Sequence, residues 1–434
     1  MSESTNWALN QSWRPGRVAR PTTPEEVAAL LREAGESGLK AKAAGSRYSL
    51  TGSAATDGIQ ILLELLHGVV DVDLSKRLVR ARGGTKVYEL NRTLHAHGLA
   101  LANLGDLDQQ TLAGATATGT HGSGARYGGM ATFVRSLEIA LPDGSLVECS
   151  RENEPDLFDA ARTSLGALGV VTGLTLEVLP SYRIHVVEEP MRLSEAVANL
   201  EDYVKDTDHF ELSWYPHTDR VLAKFLTRLT PDDPRDEPRP GWQRLIERRL
   251  VEHVVVEGVN RACSIVPLLT PPTRLLATKV LGRREYTAFS HEVFVHGRRP
   301  RFVETEYAVP AAAAGQVLTE LKSWMDSSSA RITHPLKLRY SAPDDVWMSP
   351  SYQRQSAWIS AQQYQMMDHS AYFDAVEDVV SAHDGRPHWG KLHRLGAKSL
   401  SRLYPRYGDF LAVRERVDPR RVMANEYLRR VLGD

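Results

Sequence analysis

The chain of 434 residues carries 53 basic against 54 acidic side chains, so its net charge of −1 gives no reason to expect nucleic acid as a partner. With 42% hydrophobic and 25% charged residues it has a globular composition and room for two or more domains. The sequence has two cysteines, Cys149 and Cys263, which predict a protein without a disulfide framework. It shows no secretory signal and no uncharged apolar run of about 18 residues, so a cytoplasmic protein without a membrane span is predicted.

The first part of the chain alternates short strands with helices whose ends are marked by cap residues. Thr23 followed by Pro24 predicts the start of the first helix, and Gly38 predicts its end. Small-residue turns follow predicted strands at 45–49 and 105–106. Strands are predicted at 40–44, 59–65, 69–82 (a pair), 100–104, 136–141, 146–150 and 166–178, and further helices at 87–97 and 155–163.

The stretch from Thr111 to Gly124 consists almost entirely of small residues, seven Ala or Gly and five with hydroxyls. It has too little side-chain volume to fill a core, but a ligand can approach its backbone amides closely. Consecutive amides in tight turns form a concavity that binds anions such as a diphosphate. A plain surface loop is the alternative, although such loops normally carry Asp, Asn, Lys or Pro. The composition therefore favours a phosphate-binding segment.

Four glycine-bearing turns lie near residues 45, 105, 114–124 and 169, but they do not form a dinucleotide fold of the Rossmann kind. No G-x-G-x-x-G connects an early strand to a helix with an acidic residue about 20 positions later. Several loops at strand ends that converge on one extended ligand are the simpler explanation.

The chain after Pro180 again alternates strands with helices. Residues 231–240 are polar and proline-rich, which predicts an exposed connection. Residues 259–281 mix apolar residues with prolines, and a pair of domain helices is favoured over a membrane-surface segment because the charges are balanced. Strands are predicted at 184–189 and 210–215, and helices at 193–203 and 243–256.

Several motifs, taken in their order and spacing, resemble the vanillyl-alcohol oxidase family of FAD-linked oxidoreductases, in its aldonolactone and alditol oxidase branch. The resemblance implies an α+β fold with a two-part, PCMH-type FAD-binding domain at 1–180, completed by 395–434, and an α+β cap domain at 181–394. The motifs are Gly45-Ser-Arg-Tyr-Ser49, Thr56-Asp-Gly58, Asn103-Leu-Gly105, Gln110-Thr-Leu-Ala-Gly114, Thr118-Gly-Thr-His-Gly122, Gly166-Ala-Leu-Gly-Val-Val171, Glu304-Thr-Glu-Tyr-Ala-Val-Pro310, His388-Trp-Gly-Lys391 and Ala424-Asn-Glu-Tyr-Leu428.

The same resemblance implies an FAD-dependent oxidase or dehydrogenase. Its expected reaction oxidises a CH–OH group of a sugar-derived alcohol or aldonolactone by hydride transfer to flavin N5, with molecular oxygen or another acceptor taking the electrons. The same chemistry on a different substrate, for example an anionic one, is an alternative. A flavin-binding or scaffold protein without activity is a weaker one, because such a protein has no use for four intact glycine turns.

FAD is expected to lie along the glycine turns. Gly119 and Gly122 should allow close approach to the diphosphate, with hydroxyl donors at Ser49, Thr118 and Ser123, and His121 should order its loop. The full predicted set is Gly45, Ser46, Arg47, Tyr48, Ser49, Gly105, Asp106, Gly114, Ala115, Thr118, Gly119, His121, Gly122, Ser123, Gly169 and Val171, the last through its backbone on the adenine side.

Tyr48 is the first departure from the family pattern. Many relatives carry a His at this position, bonded covalently to the 8α-methyl group of the flavin. A phenol has no imidazole nitrogen for that link, so FAD held without a covalent bond is predicted. An aryl-ether link through Tyr48 is the alternative.

The second departure lies on a cap strand where relatives have a Glu-x-Arg pair that points at the flavin. Lys337 stands in place of the Glu, and Arg339 is retained. Residues two apart share one face of a strand, and both are expected to face the flavin rather than solvent. Asp106 stands where relatives often carry a Ser, and it would pair with Lys337 if the two lie close.

Lys391 is the expected cation beside the N1–C2=O edge of the flavin, where negative charge develops on reduction. His388 is a candidate general base by residue type, but an orienting role is favoured. Glu304 and Glu306, together with Asp106, are the candidate anions among the three cations. No metal site is predicted.

Overall fold

The computed structural model describes residues 3–236, 261, 264, 282–295 and 301–434, which form three main sheets with helices packed around them. The predicted α+β class is confirmed. The helix predicted at 243–256, nearly all of the segment 259–281 and the end of the connection 231–240 lie outside the described residues. None of the described helices has the length and apolar character that a membrane span requires.

The strands in chain order are β1 (Ser4–Thr5), β2 (Ser12–Trp13), β3 (Arg17–Ala19), β4 (Ala41–Ala44), β5 (Ile59–Leu62), β6 (Val69–Asp73), β7 (Leu78–Arg82), β8 (Leu99–Ala100), β9 (Val134–Ala140), β10 (Leu146–Ser150), β11 (Val170–Glu177), β12 (Leu179–Pro180), β13 (Arg183–Arg192), β14 (His209–Trp214), β15 (Arg220–Arg228), β16 (Arg284–Phe289), β17 (Phe302–Pro310), β18 (Leu336–Ser341), β19 (Ser356–Tyr364) and β20 (Arg386–Pro387). The α-helices are α1 (Pro24–Glu36), α2 (Val87–Ala96), α3 (Leu112–Ala117), α4 (Pro155–Ala161), α5 (Leu193–Ala198), α6 (Leu200–Asp206), α7 (Ser290–Phe294), α8 (Ala314–Ser327), α9 (Ser370–Ser381), α10 (Ala397–Leu403), α11 (Tyr407–Val417) and α12 (Glu426–Leu432).

A three-stranded parallel sheet, in the order β3-β5-β4, opens the fold. Helix α1 begins as its cap residues predict, because Thr23 Oγ1 accepts a hydrogen bond from the Glu26 amide at 3.3 Å. Gly38 follows the helix with a φ of 68°, a conformation that glycine adopts at no steric cost. Strand β4 then leads directly into the turn at 45–49.

A five-stranded antiparallel sheet, in the order β10-β9-β11-β7-β6, forms the second layer. It contains both predicted strand pairs, since β6 pairs with β7 and β9 with β10. Strand β11 lies between them, as its run of β-branched residues favours. The turn before β11 brings Gly166–Gly169 back toward the end of β4.

An eight-stranded sheet in the order β16-β13-β15-β14-β18-β19-β17-β20 forms the second half of the molecule. Alternation along β17 decides which side chains reach the site, because successive residues of a strand point to opposite faces. Val303, Tyr307 and Val309 belong to the apolar cluster on the side of α8 and α9. Glu304 and Glu306 therefore point to the other face, toward the first half.

The C-terminal segment returns to the first half of the chain. Residues of α10, α11 and α12 share one apolar cluster with the five-stranded sheet. The Asn425 side-chain amide donates to the carbonyl oxygens of Gly52, Ser53 and Ala55 at 3.0, 3.1 and 2.9 Å. The Ala41 amide of β4 also donates to the Val422 carbonyl at 2.9 Å. The last residues thus support the loops around position 50.

Three local predictions were wrong in extent. The strand predicted at 59–65 ends at Leu62 and continues as a 3₁₀ turn, and the strand predicted at 100–104 pairs only at Leu99–Ala100. The helix predicted at 193–203 is two short helices, α5 and α6. At 101–104 the apolar side chains continue beyond the strand because that connection is buried. Leu65, in contrast, is exposed, and the predicted helix is interrupted at Asn199.

The small-residue stretch at 111–124 is also more ordered than predicted. Its first part is helix α3, where Thr111 Oγ1 accepts from the Gly114 amide at 3.3 Å. Leu112 and Ala115 are fully buried in the main apolar cluster. The sequence predicts that the stretch has too little side-chain volume to fill a core, and the structure adds that its helical part nevertheless packs into one through Leu112 and Ala115.

Candidate active site

A cleft lies where three loops meet. The loops are 45–49 after β4, 110–118 around α3, and 164–171 before and into β11. They are the strand-end loops whose convergence on one ligand the sequence predicts. The predicted residues that line the cleft are Gly45, Ser46, Arg47, Tyr48, Ser49, Gly114, Thr118, Gly169 and Val171.

The loop at 45–49 is held from both sides. A Cβ atom built on Gly45 would overlap Thr111 Oγ1, so only glycine lets this loop approach α3. Arg47 has a φ of 58°, the left-handed conformation that non-glycine residues rarely adopt outside functional loops. The Leu50 amide donates to the Gly390 carbonyl at 2.8 Å and so connects this loop to the segment that carries Lys391.

The lining of the cleft fits an anionic dinucleotide such as FAD. Ser46 Oγ is buried against the cleft without a hydrogen-bond partner in the protein, so it is available to a ligand. Lys42 and Arg47 line the cleft, and none of the described residues around it is a carboxylate. Exposed glycine backbone, a free hydroxyl and two cations are the groups that a diphosphate needs.

Seven of the predicted cofactor residues do not line the cleft. Gly105, Asp106 and His121 line a second chamber beside it, and Ala115, Gly119, Gly122 and Ser123 line neither. Gly119 has a φ of 75° and its hypothetical Cβ would contact Pro350 at 3.7 Å. A Cβ on Gly122 would overlap the side chain of Asn103. The positive φ at Gly119 and the close packing of Gly122 against Asn103 each require glycine, whether or not a ligand is bound.

A second chamber opens next to the cleft, and the two share Tyr48, Ser49, Gln110 and Thr118 among their lining residues. Most of its wall is polar or charged. The predicted site residues that the structure brings together here are Gly105, Asp106, His121, Glu304, Glu306, Arg339, His388 and Lys391. Lys337 lies at the edge and contacts Asp106.

Lys391 is anchored by carboxylates of β17. Its Nζ is in direct ion-pair contact with Glu304 and lies 3.9 Å from Glu306 Oε2. Glu304 also accepts hydrogen bonds from Ser360 Oγ at 2.5 Å and Gln362 Nε2 at 2.9 Å, both on β19. The ammonium group is therefore fixed in a buried position by an anion that is itself held by two further donors.

Asp106 pairs with both cations of β18, because its Oδ2 lies 3.4 Å from Lys337 Nζ and 3.2 Å from an Arg339 guanidinium nitrogen. Arg339 Nε also lies 3.7 Å from Glu211 of β14. Burial alone would lower the pKa of Arg339, but Glu211, Asp106 and Glu306 outweigh it and raise that pKa above its usual value. Both cations on this strand already have acidic partners.

A buried group of His121, Glu306 and His388 forms the end of the chamber. His121 Nε2 lies 3.4 Å from Glu306 Oε1, and the His121 ring stacks on Trp358 with centroids 3.6 Å apart. Burial alone would raise the pKa of Glu306, but His121 and Lys391 outweigh it and hold that pKa below its usual value. Glu306 is therefore ionised.

His388 is neutral at physiological pH because burial lowers its pKa to about 3. Its Nδ1 accepts a hydrogen bond from the Gly390 amide at 3.0 Å, which leaves the ring proton on Nε2. A ring in this state cannot readily accept a second proton, which favours orientation over general-base catalysis. His121, Glu306 and His388 each place one potential ligand atom within 4.8 Å of the other two, a spacing that could hold a metal cation. The ammonium group of Lys391 already supplies positive charge beside Glu306.

The predicted site residues do not include the lining residues Leu107, Gln110, Thr120 and Gly390, the Glu304 donors Ser360 and Gln362, or the two neighbours Glu211 and Trp358. Glu211 reaches Arg339 because β14 pairs with β18 in a register that sets these two residues opposite each other. Trp358 lies on β19 and stacks on His121. Both positions depend on strand pairing between distant segments, and no local signal in the sequence marks them.

A dinucleotide cleft that continues into a chamber of fixed charges defines an FAD-dependent oxidoreductase of the PCMH-type fold. Family comparison supports the class, with the FAD-binding domain profile matching residues 15–150 and the D-arabinono-1,4-lactone oxidase profile matching residues 174–431. The chain therefore belongs to the aldonolactone oxidase family of FAD-dependent oxidoreductases.

Relatives in this family match along nearly the whole chain. The L-gulono-1,4-lactone dehydrogenase of Mycobacterium tuberculosis is 36% identical over 99% of this chain and 99% of its own length. The alditol oxidase of a Streptomyces species is 31% identical over 99% and 98%, and the L-gulonolactone oxidase of Bos taurus is 30% identical over 98% and 97%. Cholesterol oxidase from B. sterolicum shares the fold, with a TM-score of 0.83 over 99% of this chain and 96% of its own at 17% identity.

Proposed function

We propose that this enzyme oxidises a CH–OH group of a neutral polyhydroxy compound, an aldonolactone or an alditol. The observation that carries the proposal is the second chamber, in which carboxylates and cations are paired with one another. The chamber shares lining residues with the FAD cleft. Hydroxyl groups both donate and accept hydrogen bonds, so a polyol satisfies such a wall without bringing in net charge. The names of the relatives, which include lactone and alditol oxidases, support this substrate class.

An anionic substrate is less well supported. Lys337 and Arg339 share Asp106, and Arg339 also faces Glu211. A carboxylate or phosphate on the substrate would have to compete with these buried pairs, at a cost in desolvation. The chamber therefore supports hydrogen bonding to hydroxyls better than capture of a second anion.

In the proposed mechanism the protein supplies orientation and fixed charge. FAD held by the loops at 45–49, 110–118 and 164–171 would supply flavin N5 as the hydride acceptor for the substrate carbon. Lys391, anchored by Glu304, is proposed to hold a positive charge beside the N1–C2=O edge of the flavin, where negative charge would develop on reduction. Because Glu304 already fixes the ammonium group, that group does not have to reorganise during the reaction. Arg339 and Asp106 are proposed to hold substrate hydroxyls, and His388 to orient the segment around Gly390 through its neutral ring.

The proposed domain division is an FAD-binding domain at 1–180 completed by 395–434, and a cap domain at 181–394. The shared apolar cluster of α10 to α12 with the five-stranded sheet supports the C-terminal return. The same cluster also includes Ile184, Val186 and Trp347 of the cap. The two domains are thus packed together rather than separated by a gap.

The function is tested by mixing the purified enzyme anaerobically with L-gulono-1,4-lactone, D-arabinono-1,4-lactone, an alditol and an aldonate. We expect the first three classes to include a substrate that bleaches the flavin absorbance, and the aldonate to leave it unchanged. Bleaching by the aldonate alone would contradict the proposal. Air or a dye is then added to the bleached enzyme, which identifies whether oxygen or another acceptor reoxidises the flavin.

Exchange of the charges on β18 tests which residues select the substrate. Lys337→Glu alone places a second carboxylate beside Asp106, so we expect weaker substrate binding and a KM raised about tenfold, since like charges at this distance repel by about 1 kcal/mol or more. The double variant Asp106→Ser, Lys337→Glu recreates the pattern expected in relatives and should recover alditol oxidation.

Steady-state kinetics on the same substrates measures both variants, and Lys322→Glu on the exposed face of α8 is the matched control. An unchanged substrate preference in both chamber variants would place Lys337 outside substrate recognition.

FAD is proposed to be bound without a covalent link, because Tyr48 replaces the histidine that forms the link in relatives. Precipitation with acid followed by centrifugation should leave all of the yellow colour in the supernatant. The Tyr48→Phe variant is the control, since it removes the only oxygen through which an aryl ether could form. Colour in the pellet of the unmodified protein but not of Tyr48→Phe would establish the ether link instead.

A further inference from the structure

Lys42 is a buried cation in the wall of the cofactor cleft that the proposed mechanism does not use. It lies on β4, is 1% exposed and is among the lining residues of the cleft. Its Nζ donates a hydrogen bond to the Gly166 carbonyl at 2.8 Å. None of the described carboxylates forms an ion pair with it, so a carbonyl dipole is its principal partner.

An ammonium group without an anionic partner is costly to bury, and it is normally neutralised or paired. Burial, together with the nearby Arg414, lowers the pKa of Lys42 to about 7, while Asp418 opposes the shift. Without a ligand, Lys42 thus loses its proton as the pH rises through about 7. An anion in the cleft would favour the charged form again.

The cleft is built for one anionic group. Glycine turns, the Ser46 hydroxyl and the Arg47 side chain line it beside Lys42, and the described lining has no acidic residue. The diphosphate is the anionic part of FAD. Gly166, whose carbonyl binds Lys42, itself lines the same cleft, so the ammonium group stands directly behind the wall that faces the ligand.

We propose that Lys42 is a further cofactor-binding residue, whose ammonium group balances the diphosphate of FAD, and that FAD binding is therefore coupled to uptake of one proton. The inference rests on reversible FAD binding and does not depend on which substrate is oxidised.

The coupling has a definite sign. Below about pH 7 Lys42 is protonated with or without FAD, so Lys42 does not make the affinity for FAD depend on pH in this range. Above that pH the free protein has lost the proton while the complex keeps it, so binding requires proton uptake and becomes weaker. The limiting slope is a tenfold rise in the FAD dissociation constant per pH unit. The rise in the dissociation constant ends at the pH at which Lys42 loses its proton in the FAD complex as well.

The test measures FAD release from the holoenzyme between pH 6 and pH 10 by ultrafiltration and flavin fluorescence. We expect the unmodified enzyme to show the rise with pH, and Lys42→Met to bind FAD more weakly at pH 7 with no slope. Lys42→Arg should retain binding without the slope, because a guanidinium stays charged throughout. Lys40→Met is the matched control, since its Nζ also donates to a carbonyl, that of Arg421, but outside the cleft.

A second measurement needs no variant. Calorimetric titration of ADP into the flavin-depleted protein at pH 8, in two buffers of different ionisation enthalpy, counts the protons taken up, and adenosine is the uncharged comparison. We expect uptake approaching one proton for ADP and none for adenosine. Equal uptake for both, or a slope that persists in Lys42→Met, would overturn the proposal and leave Lys42 as a structural support of Gly166. Because substrate turnover is not measured, this outcome is independent of the substrate proposed above.

Discussion

Replacing Lys391 with methionine is expected to slow reduction of the flavin by substrate about 100- to 1000-fold. The ammonium group is buried and held by Glu304, so it offers a preorganised positive charge to the reaction. Removal of a comparable donor to a developing anion costs about 2.7–4 kcal/mol. Methionine keeps the aliphatic length of the side chain, and the change therefore tests charge rather than packing.

Rapid mixing under anaerobic conditions measures the reduction rate directly, apart from any effect on reoxidation. Lys398→Met, at an exposed position of α10, is the control and should reduce at the rate of the unmodified enzyme. The removal also leaves Glu304 and Glu306 without their cation, so FAD content and thermal unfolding must be compared as well. A Lys391→Met enzyme that holds FAD and is reduced at the normal rate would exclude the residue from the mechanism.

Gly45→Ala is expected to weaken FAD binding about 5- to 150-fold. The added Cβ would overlap Thr111 Oγ1 and lie 3.2 Å from Thr111 Cβ, so the loop at 45–49 must move away from α3. Overpacking of this kind costs about 1–3 kcal/mol, and the cost falls on the loop that lines the cleft. The ratio of flavin to protein absorbance after dialysis measures the loss.

A second substitution separates steric overlap from other effects of the same change. Thr111→Ala removes the atom that the new Cβ meets, but it also removes the cap of α3, so the double variant is compared with Thr111→Ala alone and should hold about as much FAD as that single variant. Gly408→Ala is the control glycine, because its Cβ would meet no atom within 4 Å. A double variant that holds much less FAD than Thr111→Ala alone, with Gly408→Ala normal, would mean that Gly45 acts through something other than its closeness to Thr111.

Local signals in the sequence predict those parts of the fold that depend on neighbouring residues. The N-cap at Thr23 and the positive φ at Gly38 are set by nearest-neighbour chemistry, and both ends of α1 agree with the prediction. Helix α3 does not follow from such signals. A helix of six residues is too short to be stable alone and Gly114 lowers its propensity further, so it forms because Thr111 caps it and the apolar cluster covers Leu112.

The contacts in the chamber are also only partly predictable from the sequence, because most of them join residues that are far apart along the chain. Lys337 and Arg339 share a face because a strand alternates, and this much follows from their spacing. The Lys391–Glu304 contact joins residues 87 positions apart, and the Glu211 contact depends on the register between β14 and β18. Residue type indicates which groups can pair, but only the sheet order determines which of them meet.

The bonds from Asn425 to the loop at 52–55 have a consequence for the order in which the protein is made. The two partners lie about 370 positions apart, so the ribosome must add all of the residues between them before the loop next to the cleft acquires its support. A nascent chain that has only residues 1–180 cannot form these bonds. We therefore expect stable cofactor loading to be a late event in biogenesis, and we expect proteolytic loss of residues 425–434 to affect flavin retention before it affects the distant eight-stranded sheet.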